Sequence, residues 1–298
     1  MHSLMKAPIR AGNNRWLRHS ALDDVQFEPW RKLLEERTGI QITASLRGLM
    51  DQRLRQRMAE SGYTDLARYY AQVTAKGITG ESEWQALVNA LTVQETRFFR
   101  DPYALDLVAD HMKAQWSRAT QPLNLWSVGC STGEEAYSLA MIMAELARHQ
   151  AEPRHFAVTG SDISAPAIQR ARLGRFSARA LAQLPAPLKE RYFAADRADY
   201  LVREPLARTL CFTRLNILSV SDAPLAPMDL VYCQNVLIYF RRWRRREIAL
   251  QLVEKLSPGG MLVFGPGELP GFNHPDLVNI PSRHCLAFLR KHGTERVQ

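Results

Sequence analysis

The stretch that most constrains the fold is residues 123–139, which read L-N-L-W-S-V-G-C-S-T-G-E-E-A-Y-S-L. Its first part is apolar enough for a buried parallel strand, and Gly129 and Gly133 allow backbone turns that larger residues resist. Ser131 or Thr132 can cap the helix that follows. Strand, tight turn and helix form the first unit of a doubly wound α/β sheet, with a nucleotide-type cofactor at the turn. Dinucleotide, flavin and S-adenosylmethionine sites all begin in this way.

Two acids at the start of the predicted helix, Glu134 and Glu135, narrow the choice of cofactor. A pyrophosphate needs the positive end of a helix left bare and a G-x-G-x-x-G spacing, so the acids argue against a dinucleotide. A cationic or hydroxyl-bearing ligand fits better. The same acids also complement the helix dipole, worth ~0.3–1 kcal/mol each, and this structural interpretation stays open for the pair taken alone.

The rest of the chain divides into three predicted parts. Residues 1–20 are basic and aperiodic, and we expect a flexible tail. Residues 21–91 have helical periodicity and predict a small all-α domain, in which Leu46, Leu49, Met50, Leu54 and Met58 form a buried stripe. Residues 92–298 alternate strands with helices, apart from an insertion with short strands near 174–209. The predicted strands are 123–129, 155–160, 209–214, 229–233, 261–265 and 285–290, and a turn at 257–260 precedes the fifth.

Composition excludes several classes of protein. No apolar run approaches the ~20 residues of a membrane-spanning helix, and the first residues lack the apolar core of a secretory signal, so we expect a cytoplasmic protein. The four cysteines include no C-x-x-C pair and no adjacent histidine cluster, which argues against a metal site or a disulfide framework. The formal net charge of +9 permits an acidic partner, whether nucleic acid, an anionic membrane or a glutamate-rich protein.

Two basic clusters are candidates for contact with such a partner. Arg53, Arg55 and Arg57 lie on the second predicted helix, and five arginines crowd into residues 241–246. Each cluster is compatible with an ordinary solvated surface or with a surface that binds an acidic helix of a partner.

Polar residues follow the predicted strands at the edge where ligands of open α/β sheets bind. They are Ser131, Glu135, Asp162, Asn216, Gln234 and Asn235. Asp162 can accept hydrogen bonds from ribose hydroxyls or cap the helix that begins near Ser164. Because no phosphate-binding Lys or Arg accompanies the set, the pattern favours an adenosyl group without phosphates.

Four ordered motifs carry a resemblance to a known family. They read T-V-Q-E-T-R-F-F-R-D, W-S-V-G-C-S-T-G-E-E-A-Y-S-L-A, T-G-S-D-I-S-A-P-A-I-Q-R-A-R and Y-C-Q-N-V-L-I-Y-F. Over residues 21–290 the chain resembles the chemotaxis-receptor glutamate methyltransferases, the CheR family. Within it the chain most resembles the PilK subgroup, which belongs to the chemosensory system that controls type IV pili.

The resemblance implies transfer of a methyl group from S-adenosylmethionine to receptor glutamates, leaving S-adenosylhomocysteine. It implies that Arg100 and Tyr239 lie near the transferred methyl and that Arg53, Arg55 and Arg57 dock the cytoplasmic helices of a chemoreceptor. The insertion would be the β-subdomain that binds a receptor C-terminal peptide in some members. A monomer without metal, nucleic acid or membrane insertion is expected. The implied cofactor contacts are Gln94, Thr96, Arg100, Glu135, Asp162, Asn216, Ile217, Gln234 and Asn235.

The chain departs from the family at three positions. Gln94 stands where members commonly have Asn, Ala136 where they have Pro, and Gln234 where they have Arg. The last departure removes a charge beside the cofactor and weakens the expectation for Gln234. Two other functions remain open: an RNA methyltransferase of the same fold, and a non-catalytic adaptor that binds the cofactor.

Overall fold

The computed structural model describes residues 22–92, 95–118, 121–150 and 155–292. The predicted basic tail at 1–20 lies outside these ranges. The described chain begins with four helices: α1 (Asp24–Thr38), α2 (Ala44–Glu60), α3 (Leu66–Thr74) and α4 (Ile78–Leu91). Asp23 caps α1 by accepting a hydrogen bond from the backbone N–H of Gln26 at 2.8 Å, and Gly39 ends it in the left-handed conformation, with φ of 75°.

The helical domain has its own core, in which Trp30 stacks on Tyr69 with ring centroids 5.5 Å apart. The predicted stripe on α2 is buried at Met50, Leu54 and Met58. Its first two members were predicted wrongly, because Leu46 and Leu49 are partly exposed and line a cavity.

The remaining chain forms an α/β domain whose main sheet has seven strands. Its elements are α5 (Pro102–Arg118), β1 (Leu123–Val128), α6 (Glu134–Arg148), β2 (Phe156–Asp162), α7 (Ala165–Leu173), β3 (Arg175–Ser177), α8 (Ala186–Tyr192), β4 (Phe193–Asp196), β5 (Asp199–Val202), α9 (Glu204–Ala207), β6 (Leu210–Arg214), β7 (Met228–Cys233), α10 (Arg242–Glu254), β8 (Leu256–Phe264), β9 (Leu277–Ile280) and β10 (Leu286–Arg290).

The strand order β6-β2-β1-β7-β8-β10-β9 confirms the predicted doubly wound sheet. Strands β6, β2, β1, β7 and β8 are parallel, and β10 runs antiparallel to both of its neighbours. The order reverses at β1, whose partners are β2 and β7. Ligands of such sheets bind at this reversal, beyond the carboxyl ends of the strands, so the sheet itself directs attention to the end of β1.

Two details of the sheet differ from the sequence prediction. The expected turn at 257–260 belongs to β8. The register with β7 slips between Met228 and Leu230, and Gly259 in this stretch has a φ of 79°. The edge strand β9 was not predicted, because its four residues carry no alternation long enough to recognise.

The predicted inserted β-subdomain is present as a three-stranded antiparallel sheet of order β3-β5-β4. Phe98, which precedes α5, packs edge-on against Phe176 and Phe193 of this sheet at 4.8 and 5.6 Å between centroids. The subdomain is thereby attached to the segment that leads to Arg100.

Among the described residues, none of the helices combines the length and apolar character required to cross a bilayer. The cysteines are unpaired; Cys130, Cys233 and Cys285 are buried and Cys211 is exposed.

Candidate active site

A cavity of about 290 Å³ lies between the helical domain and the carboxyl ends of the strands. Small-molecule sites typically enclose ~300–1,000 Å³, so its size suits a compact ligand. One side is polar and comes from the residues that follow β1, β2, β6 and β7. The other side is apolar and comes from the helical domain, with Leu34, Ile40, Ile42, Leu46, Leu49, Met50, Val88 and Leu91.

The turn after β1 forms the floor of the cavity. Gly129 has a φ of 73°, and a Cβ there would lie 2.4 Å from Val236 Cγ2, so both its conformation and its space demand glycine. Ser131 also has a positive φ, 50°, and its N–H donates to Asp162 Oδ2 at 2.9 Å. This bond joins the ends of β1 and β2.

Glu135 lies in the first turn of α6, on the cavity wall. Burial raises the pKa of its carboxyl to about 8, while a hydrogen bond from Ser127 Oγ at 2.7 Å opposes the shift. The negative charge of Glu268 adds to the rise in this pKa and the positive charge of Arg100 reduces it. A ligand cation beside this partly buried carboxyl would favour its ionised form, so the two would stabilise each other.

Glu134 faces a different environment. It is buried, accepts a hydrogen bond from Thr132 Oγ1 at 2.6 Å and does not line the cavity. Burial also raises the pKa of its carboxyl. The two neighbouring acids therefore separate into one that faces the cavity and one that stabilises the turn.

Asp162 does not itself cap α7, because the N-cap of that helix is Ser164, whose side chain accepts from the N–H of Ala167. Asp162 instead bonds to the backbone of the turns around it. Its Oδ1 accepts from the backbone N–H of Ser164 at 2.8 Å, at the start of α7, and its Oδ2 accepts from Ser131. Burial raises the pKa of this carboxyl and the backbone hydrogen bonds oppose the rise. A carboxylate has about four lone-pair sites, so Asp162 can still accept a bond from a ligand in the cavity that it lines.

Arg100 and Tyr239 line the same cavity. Arg100 is positioned by its neighbours: Phe99 has a positive φ of 49°, its N–H donates to Ser138 Oγ at 3.0 Å, and Arg100 Nη1 donates to the carbonyl of Glu95 at 2.9 Å. Burial raises the pKa of the Tyr239 hydroxyl, and the largest opposing influence is the charge of Arg100. The two side chains are therefore electrostatic neighbours.

The other predicted cofactor contacts differ in whether their side chains are free to bind a ligand. Thr96, Ile217, Gln234 and Asn235 line the cavity, whereas Gln94 lies outside the described residues. Asn216 also lines it, but Nδ2 donates to the carbonyl of Arg37 at 2.8 Å and Oδ1 accepts from the N–H of Leu218 at 3.1 Å. The side chain of Asn216 therefore already has protein partners.

Two buried polar atoms at the cavity lack a hydrogen-bond partner within the described ranges. They are Ser131 Oγ and Gln234 Nε2. Buried polar groups are almost always paired, so unpaired atoms on a cavity wall indicate a place for a polar ligand.

The three candidate docking arginines on α2 differ in their surroundings. Arg57 is bonded to Glu83 at 2.8 and 2.9 Å, and Arg55 pairs with Asp51 at 2.9 Å. Arg53 donates to Gln56 at 3.3 Å, and no acid within the described residues pairs with it. Only Arg53 is available to an acidic partner without the loss of an existing ion pair.

Sequence reasoning missed Glu268, a buried acid that follows β8. Its carboxylate accepts from the N–H groups of Asn235 and Ile238 at 3.2 and 3.3 Å. The rule that drew attention to the first four strand ends would have found it at the fifth, in G-P-G-E.

Two family models match this chain, one over each of its domains. The family model described as CheR methyltransferase, SAM binding domain, matches residues 94–282, and the model of the CheR all-alpha domain matches residues 26–92. The Chemotaxis protein methyltransferase of Escherichia coli strain K12 is 33% identical over 85% of this chain and 87% of its own length. Chemotaxis protein methyltransferase 2 of Vibrio cholerae is 33% identical over 83% and 86%. Among solved structures, magnesium protoporphyrin IX methyltransferase from Synechocystis has 14% identity and covers 92% of this chain and 100% of its own, with a TM-score of 0.34, too low to support an argument.

Proposed function

The chain belongs to the CheR methyltransferase family, and we propose that it methylates glutamate side chains of a methyl-accepting chemoreceptor. The cofactor of the family is S-adenosylmethionine, which supplies a methyl group on a positively charged sulfur. The observation that carries the proposal is the cavity itself, which brings Glu135, Asp162, Arg100 and Tyr239 together at the end of β1.

The residues at the cavity fit this cofactor. Glu135 offers a carboxylate for the ammonium group, Asp162 offers acceptor lone pairs for the ribose hydroxyls, and the unpaired Ser131 Oγ and Gln234 Nε2 offer further hydrogen bonds. The apolar wall from the helical domain suits the adenine ring. We propose Thr96, Asn216, Ile217 and Asn235 as additional cofactor contacts. Asn216 would contact the cofactor mainly by packing, because its side-chain amide already bonds to the protein.

The chemistry of the substrate leaves little for a general base to do. A glutamate side chain has a pKa of ~4.3 and is ionised at pH 7, so it is already a nucleophile. The protein must hold its oxygen in line with the methyl group and exclude water. Arg100 can hold a carboxylate in two places through its planar guanidinium, and the Tyr239 hydroxyl can donate to the same group.

One face of α2 leads from the cavity to the solvent. Leu46, Leu49 and Arg53 are spaced at i, i+3 and i+7, so they share this face, and the first two line the cavity. A glutamate-rich receptor helix complements such a surface, with apolar contacts near the cavity and Arg53 farther out. Arg55 and Arg57 add positive potential while keeping their ion pairs.

The test is methyl transfer to a receptor. The protein is incubated with labelled S-adenosylmethionine and membranes that contain the chemoreceptor, and the product is then treated with base. Base-labile label on the receptor, lost in Arg100→Ala, is expected, because methyl esters hydrolyse readily. Label on RNA, or tight cofactor binding without transfer, would overturn the proposal in favour of an RNA methyltransferase or an adaptor.

We further propose that the substrate belongs to the chemosensory system that controls type IV pili, because within the family the chain most resembles the PilK subgroup. The methylated helices would then lie in the cytoplasm, where this protein would act. Receptors from the pilus system and from flagellar chemotaxis are compared at equal concentration in the same assay. A higher kcat/KM for the pilus receptor is expected, and a preference for the flagellar receptor would contradict this assignment.

A further inference from the structure

The segment that joins β7 to α10, residues 234–241, contributes to the cavity wall and has an irregular backbone. It includes Asn235, which has a left-handed φ of 59°, and a short 3-10 turn at Leu237–Tyr239. A left-handed non-glycine residue has a conformational cost that the surrounding structure must offset. Tyr239, whose hydroxyl we propose to lie at the methyl-transfer site, depends on this segment for its position.

The N–H groups of the segment are held by the Glu268 carboxylate. Its Oε2 accepts from Asn235 at 3.2 Å and from Gly265 at 2.7 Å, and its Oε1 accepts from Ile238 at 3.3 Å. The residue is only 2% exposed. A buried acid that accepts several backbone hydrogen bonds fixes the peptide groups that donate them.

The carbonyl groups of the same segment are held by Arg245 on α10. Its Nε donates to the carbonyl of Phe240 at 2.8 Å and its Nη2 to that of Ile238 at 3.3 Å. Its Nη1 donates to the backbone carbonyl of Glu268 at 3.0 Å. Glu268 and Arg245, the two braces of the segment, are therefore hydrogen-bonded to each other. One member of the five-arginine cluster thus binds three backbone carbonyls of the protein itself.

We propose that Glu268 and Arg245 are positioning residues for methyl transfer, which hold the 234–241 segment so that Tyr239 reaches the substrate carboxylate. The inference rests on the proposed function. Both side chains act through the backbone of the segment, and neither lies among the residues that line the cavity. Removing either brace leaves Asn235 free to relax out of its left-handed conformation and shifts the tyrosine.

Four measurements on Glu268→Gln and Arg245→Ala test this role: kcat, receptor KM, cofactor Kd and melting temperature. Arg246→Ala is the matched control, because Arg246 is exposed on the same helix and lies over the Phe272 ring, away from the segment. We expect kcat to fall about tenfold or more, equivalent to ~1.4 kcal/mol of transition-state stabilisation, while receptor KM stays within about twofold.

A double-mutant cycle separates positioning from general destabilisation. In a Tyr239→Phe background, Glu268→Gln and Arg245→Ala should lower kcat by less than about twofold, because the group that they position is already gone. Equal losses in both backgrounds, or rates equal to those of Arg246→Ala, would overturn the proposal. If Glu268→Gln does not fold, Arg245→Ala decides the result alone.

Hydrogen exchange of the 234–241 amides tests the braces without any catalytic assay. Exchange should be about tenfold faster in both variants than in Arg246→Ala, and unchanged exchange would overturn the role. A wild-type protein that methylates no receptor would refute the proposed function, while the exchange result would still decide whether Glu268 and Arg245 hold the segment.

Discussion

The raised pKa of Glu135 makes cofactor affinity depend on pH in a calculable way. The carboxyl has a pKa of about 8, so it is mainly neutral in the ligand-free protein at pH 7. A cofactor ammonium favours the ionised form, and binding should therefore release a proton. Since α-amino groups titrate at ~7.7–8.0, the ligand remains largely cationic between pH 6 and 7.

The magnitude follows from the ionised fraction of Glu135. With a pKa of about 8, that fraction is ~1% at pH 6 and ~9% at pH 7. If only the ionised form binds, the Kd for S-adenosylhomocysteine should fall about ninefold over this unit of pH. Isothermal titration calorimetry in two buffers of different ionisation enthalpy measures both the Kd and the proton released.

Two variants supply the controls. Glu135→Gln should bind more weakly and lose most of the pH dependence, whereas Glu134→Gln should retain it, because Glu134 bonds to Thr132 and does not line the cavity. A Kd that is constant from pH 6 to 7 in the wild type, with no proton release, would refute the assignment of Glu135 to the ammonium group.

Three further predictions concern substrate, chemistry and fold. Tyr239→Phe should lower kcat by about 10–100-fold with unchanged cofactor Kd, as expected for the loss of one hydrogen bond to a charged group, and a wild-type rate would exclude the role of its hydroxyl. Arg53→Glu should raise receptor KM about tenfold at low salt and much less at 1 M salt. Arg68→Glu, at an exposed position of α3, should not raise it, and equal effects of the two variants would contradict docking on α2. Gly129→Ala should destabilise the fold by about 1–3 kcal/mol in denaturant titrations, because a Cβ would lie 2.4 Å from Val236 Cγ2 at a φ of 73°; wild-type stability would contradict this.

The fold was largely predictable because its elements carry local signals. The apolar run of β1, the glycines after it and the acids that open α6 are adjacent in sequence, so periodicity and turn chemistry suffice to identify them. The errors at β8 and β9 have a different origin. The S-P-G-G stretch has the composition of a turn, yet pairing with β7 on either side draws it into a strand. At this position, strand pairing in the folded sheet overrides the local preference of the sequence for a turn.

The site was predictable in part, because strand ends of a parallel sheet converge whatever connects them. That rule placed Glu135, Asp162 and Gln234 at one edge, and all three line the cavity. The hydrogen-bond and ion-pair partners of other predicted site residues, such as Arg57 and Asn216, could not be predicted. The ion pair of Arg57 with Glu83, and the bond of Asn216 to the carbonyl of Arg37, join residues that are remote in sequence and whose proximity depends on helix packing.

The 234–241 segment suggests why the helical domain and the sheet must act as one unit. The N–H of Gln41 donates to the carbonyl of Tyr239 at 2.7 Å, Ile40 forms a β-bridge with Phe240, and Arg241 pairs with Glu35 at 3.0 Å. The tyrosine is thus held from the sheet side through backbone contacts and from the helical side by the loop between α1 and α2. Because α2 also presents the proposed docking face, a receptor helix bound there would bear on the element that orients Tyr239. If a receptor helix docks on α2, substrate binding and the alignment of the reacting groups would be connected through residues 39–42, which contact residues 239 and 240.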